Sequence, residues 1–87
     1  MREIKLSNGI ATIKDFGSNI ELFYMINGED EAYHASESYD GCDDFTAEEN
    51  AESFVEYRME HFPLNENDKN LLQEELKSYY YPHSSDF

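Results

Sequence analysis

Two dipeptides within the first twenty residues constrain this chain more than any other feature in it. Asn8-Gly9 lies between two short segments of alternating character. A two-residue hairpin loop needs positive φ at its central positions, and Asn and Gly accept it with the least steric cost. That turn pairs Leu6 with Ala11 and Ile4 with Ile13, so four apolar residues share one face. Gly17-Ser18 is a second two-residue turn, and its register pairs Ile13 with Leu22 and Lys14 with Glu21. The apolar face continues and the opposite face gains an ion pair. A slip of one residue would invert every side chain, so agreement between two separate turns specifies an antiparallel meander.

The rest of the chain extends this start. Asn19 to Ile26 alternates Ile20, Leu22, Tyr24 and Ile26 with Glu21, Phe23 and Met25, and bulk on both faces reads as a central strand. Asn27-Gly28 marks a third turn. Ala32 to Glu37 returns as a fourth, edge strand, with Glu37 and the serines discouraging edge-to-edge pairing. Residues 38–45 form an acidic loop, and Thr46-x-x-Glu49 is a capping box that opens a helix over about 46–62, stopped by Pro63. Its inward stripe is Ala47, Ala51, Phe54, Val55, Arg58, Met59 and Phe62, with the Arg58 stem laid along it. A second helix over about 66–81 starts from Asn65 or Asn67, carries Leu71, Leu72, Leu76, Tyr79 and Tyr80 on one stripe, and ends before Pro82. In the run Tyr79-Tyr80-Tyr81, helical spacing puts two of the three rings in the core. Residues 82–87 read as a tail. The expected architecture is a single α+β domain over 1–87: a meander of three to four strands over about 2–37, then two helices packed on one face.

Charge decides what such a domain can bind. The formal net charge is −14, from 20 acidic residues against 6 Lys and Arg. Phosphate binders neutralise their ligand with Lys and Arg, so direct binding to nucleic acid is disfavoured, as is an anionic membrane surface. A basic partner is expected. Cys42 is the only cysteine, which excludes an intrachain disulfide framework. With no apolar run of signal-peptide or transmembrane length, the chain reads as soluble and cytosolic.

No catalytic or metal motif emerges. With Asp40 at position 1 of a calcium loop, Phe45 falls where Gly is needed and Ala51 where Glu is needed. Cys42, His34, His61 and His83 are scattered without zinc spacing. Paired catalytic carboxylates need unequal environments, and here the acids are numerous and solvated. A non-catalytic protein without cofactor or metal is expected.

Twelve of the acids fall between Glu29 and Glu60, where Arg58 is the one Lys or Arg. They include a turn (Glu29, Asp30, Glu31), a loop (Asp40, Asp43, Asp44) and a helical row (Glu48, Glu52, Glu56, Glu60) with Glu49 beside it. Tyr39 and Tyr57 stand among them as candidate anchors. Like charges at i, i+4 cost about 0.2–0.5 kcal/mol each, and a merely solvated helix face mixes Lys with Glu, which this one does not. Four residues of helix rise ~6 Å. A DNA strand carries one charge per ~3.4 Å, so the row alone is too sparse to imitate it. Turn, loop and row together approach that density.

In length, charge, element order and acids such as Asp43, Asp44, Glu48, Glu49 and Glu52 bordering a sheet-to-helix junction, the chain resembles small acidic inhibitors encoded by phages and mobile elements. These are the anti-CRISPR proteins and the anti-restriction DNA mimics. The resemblance implies a non-catalytic protein in a bacterial cytoplasm that blocks a basic nucleic-acid-binding target, such as a Cas nuclease or restriction enzyme. Carboxylates would replace phosphates against Lys and Arg. Two other readings fit the composition: an immunity protein against a basic nuclease toxin, and a small acidic metal-binding accessory.

Overall fold

A computed structural model describes residues 2–38 and 45–80. Four antiparallel strands come first: β1 (Arg2–Lys5), β2 (Gly9–Asp15), β3 (Asn19–Ile26) and β4 (Tyr33–Ser38), in sheet order β1-β2-β3-β4. Helix α1 (Ala47–Ser53) follows and passes directly into a π-helical turn (Phe54–Arg58), and α2 (Glu66–Tyr80) closes the described chain. The α+β meander expected from the turns is the fold observed. Among the described residues, no helix is long and apolar enough to cross a membrane.

The two later turns form as expected. Gly17 takes φ 86°, the Phe16 N–H donates to the Asn19 carbonyl at 3.0 Å, and Ile13 faces Leu22 while Lys14 faces Glu21. Gly28 also takes φ 86°, within a turn closed by the Glu29 N–H on the Ile26 carbonyl.

The first turn differs. Ile4 faces Ala11 and Arg2 faces Ile13, so the register lies two residues from the expected one and the loop residues are Ser7 and Asn8. Neither has positive φ. Gly9 belongs to β2 instead, opposite Ile26, where an added Cβ would stand 2.1 Å from the Met25 carbonyl oxygen. The glycine serves close backbone approach, not turn geometry. A shift of two keeps every side chain on its face, so the core residues of these strands are still the expected ones.

The inner face of the sheet offers Ala11, Ile13, Ile20, Leu22, Tyr24 and Ala35, all buried, against Ala47, Ala51, Phe54, Val55, Met59 and Phe62 of the first helical segment and its exit, and Leu72, Leu76 and Tyr80 of α2. Tyr24, Tyr33 and Phe62 form a ring cluster with centroids 5.4–6.3 Å apart. Tyr79 is half-buried beside the core, and burial pushes its phenol above the ordinary range. Leu71, expected on the inward stripe, is 44% exposed, because the closest packing runs through Asp68, Leu72 and Leu76 at i, i+4, i+8.

Among the described residues, nothing covers the other face of the sheet. Met25 and Ile10 are exposed there, and Phe23 stacks on His34 with centroids 4.7 Å apart. β3 is central in its hydrogen bonding, yet the described residues cover only one of its faces. The expected Lys14–Glu21 ion pair is replaced by two contacts. The Lys14 ammonium lies over the Phe23 ring, while the Glu21 carboxylate pairs with His34 and accepts from Ser36 and Asn19.

Candidate functional site

Thr46 starts α1 as expected. Its Oγ1 accepts from the Glu49 N–H at 3.1 Å, and Glu49 Oε1 accepts from the Thr46 N–H at 3.0 Å. This reciprocal cap fixes where the acidic face begins, and Glu48 and Glu49 lie at the favourable end of the helix dipole.

Beyond Ser53 the helix departs from the expected course. The Met59 N–H donates to the Phe54 carbonyl, five residues back. Phe54 and Met59, joined by this hydrogen bond, both stay buried. Arg58, expected on the apolar stripe, is exposed instead. It reaches Glu37 of β4, with Nε–Oε2 2.7 Å and a second contact of 3.2 Å. The bonded carboxylate holds the guanidinium pKa above its ordinary value. Glu37, read as an edge protector, is therefore a link between sheet and helix. The helical segment also stops at Arg58, short of the expected end at Phe62. Phe62 reaches the core from a tight turn in which its N–H donates to the Met59 carbonyl.

The same turn breaks the acidic row. Glu48 and Glu52 keep α-helical spacing, the step from Glu52 to Glu56 enters the widened turn, and Glu60 lies beyond the helix. All four are exposed. The straight row expected from i, i+4 spacing becomes a ridge that divides two grooves.

The first groove, about 320 Å³, is lined by Phe45 and Tyr57 together with Glu49, Glu52, Ser53 and Glu56. Phe45 is 46% and Tyr57 66% exposed. The second, about 370 Å³, runs between the ridge and α2 and adds Glu60, Glu66 and Lys69 to Glu52 and Glu56. Glu29 and Glu31 line a separate hollow with Tyr33, and Asp30 is exposed on the same turn. Tyr39, Asp40, Asp43 and Asp44, the loop part of the expected surface, lie outside the described residues, as do Cys42, Tyr81 and the tail.

Thus the structure gathers Glu49, Glu52, Glu56 and Tyr57 in one groove and places Glu29 and Glu31 in another. Phe45 and Glu66 were not among the expected contact residues. The signal for Phe45 was its position just ahead of the capping Thr46, too early for the helix to bury it. Glu66 reaches the ridge only through the tertiary packing of α2, which no local pattern reports. Among the described residues, no three His, Cys, Asp or Glu side chains are placed to hold a metal ion together.

The arginines are drawn away from the first groove. Arg58 is held by Glu37, and Arg2 of β1 is held by Glu75 of α2 at 2.7 Å. Lys14 lies on the second face of the sheet. No protein-family model, curated protein or solved structure matches this chain.

Proposed function

We propose that this protein is a non-catalytic acidic inhibitor that binds a basic nucleic-acid-binding protein, of the Cas-nuclease or restriction-enzyme kind, and blocks its nucleic-acid site by charge mimicry. One observation carries the reading: a ridge of glutamates beside a groove that two exposed aromatic side chains also line, while Arg58 is held elsewhere by Glu37. Carboxylates on a rigid element can take the place of phosphates against Lys and Arg, and aromatic side chains supply the anchoring area.

The test is charge reversal at Glu48, Glu52 and Glu56 together, all exposed. The expected result is an unchanged far-UV circular dichroism spectrum with partner affinity lowered about a hundredfold or more. The partner is captured from a bacterial lysate with the wild-type chain and then challenged with duplex DNA, which should compete. Wild-type affinity in the triple variant, or indifference of the partner to DNA, defeats the reading.

A further inference from the structure

We infer that the groove lined by Phe45 and Tyr57 is an anchor site for a single arginine side chain of the partner, a deeper claim that rests on reading this face as the contact surface for a basic protein. Three features converge on that occupant. The groove is shallow and open to solvent, and its volume of about 320 Å³ lies at the small end of the ~300–1,000 Å³ range of ligand pockets. Two of its lining residues are aromatic, Phe45 and Tyr57, left 46% and 66% exposed. Its wall carries three carboxylates, Glu49, Glu52 and Glu56, with the Ser53 side chain among them.

A ring face attracts a cation through its quadrupole, and a guanidinium adds planar stacking to that attraction. Arginine also presents five donors in a flat fork, so one side chain can serve more than one carboxylate at once. Lysine offers a compact, strongly hydrated charge that uses the carboxylates but gains less from the rings. A divalent cation would use the carboxylates alone and leave both aromatics idle.

Tyr57 lies within the π-helical turn. Phe54, Val55 and Met59 remain buried, while Glu56, Tyr57 and Arg58 form three consecutive exposed residues. Arg58 does not compete for the groove, because Glu37 holds it.

The experiment is an NMR titration of the ¹⁵N-labelled full chain with three blocked tripeptides carrying arginine, lysine or uncharged citrulline at the centre, and with magnesium ion. Saturable shifts confined to Phe45, Glu49, Glu52, Ser53, Glu56 and Tyr57 are expected with the arginine peptide, weaker ones with lysine and none with citrulline. Tyr57→Ala should weaken arginine binding about two- to fivefold, the span of an exposed cation–π contact, and Glu3→Gln, exposed on β1, should leave it unchanged. Shifts spread evenly over all exposed carboxylates, equal binding of arginine and lysine, a Tyr57→Ala variant that binds as wild type does, or magnesium producing the same pattern would each overturn the inference. Because the peptides need no identified partner, this result is separate from the fate of the inhibitor reading: a localised arginine site with no DNA-competed partner would leave the groove standing and the inhibitor role rejected.

Discussion

At the scale of single residues, the most informative are those that tie distant elements together. Asp68 is 2% exposed in the first turn of α2, and its carboxylate accepts from the Ser7 Oγ at 3.0 Å and from the Ser7 N–H at 3.3 Å. Asn65 caps the same helix by accepting from the Asp68 N–H at 2.8 Å, and its amide donates to the Ser7 Oγ. The β1–β2 turn is therefore held from outside itself. This is why Ser7-Asn8, a weaker turn pair by local chemistry, becomes the loop while Gly9 is given over to close approach to β3. Removing the carboxylate leaves the Ser7 N–H without this partner, so Asp68→Ala should cost about 1–3 kcal/mol. Urea unfolding should show a lower midpoint with an unchanged slope. A midpoint within error of wild type would show that the turn holds without α2.

At the scale of elements, competition among side chains sets the pairings on the second face of the sheet. On the sheet, Glu21 chooses β4 over β2: it pairs with His34 and accepts from Ser36, while Lys14 goes to the Phe23 ring. The hydrogen bonds from His34 and Ser36 hold the Glu21 carboxyl below its ordinary value of 4.5. A depressed folded-state pKa makes the contribution fully present above the unfolded-state value and lost as pH falls through the folded one. The difference in melting temperature between wild type and Glu21→Gln should therefore be constant down to about pH 4.5 and close below it. Thermal melts from about pH 5 to about pH 2.5 check this, and a difference that fails to close in acid would show that the ionised Glu21 carboxylate does not stabilise the fold. In the helix, the periodicity that named Phe54, Val55, Met59 and Phe62 as core was legible. The outward course of Arg58 was not, since its partner Glu37 lies on β4, 21 positions away.

At the scale of the whole molecule, a net charge of −14 belongs to a chain whose described body measures 39 × 24 × 19 Å. Self-repulsion at that density opposes folding, whereas exposed ion pairs such as Arg2–Glu75 are worth about 0–1 kcal/mol each. Repulsion outweighs these pairs, so salt should stabilise. Raising sodium chloride from about 0.01 M to about 1 M shortens the screening length from ~30 Å to ~3 Å and should raise the melting temperature by several degrees. A fall would mean that the ion pairs outweigh the repulsion.

What the sequence determined by itself was local and periodic. Turn glycines at 17 and 28, alternation along β3, the Thr46–Glu49 cap and the apolar stripes are each settled by residues close in the chain, because backbone dihedrals and side-chain period are local quantities. The concentration of acid between Glu29 and Glu60 was equally plain, being a matter of composition. Tertiary structure alone decided the register of the first hairpin, through Asp68 and the close approach of Gly9 to Met25. It also decided the partner of Arg58 and the division of the glutamates into grooves. These outcomes depend on contacts between residues distant in the chain, 21 positions apart for Arg58 and Glu37 and 61 for Ser7 and Asp68. The free energy of such a contact exists only once the elements that carry it have packed.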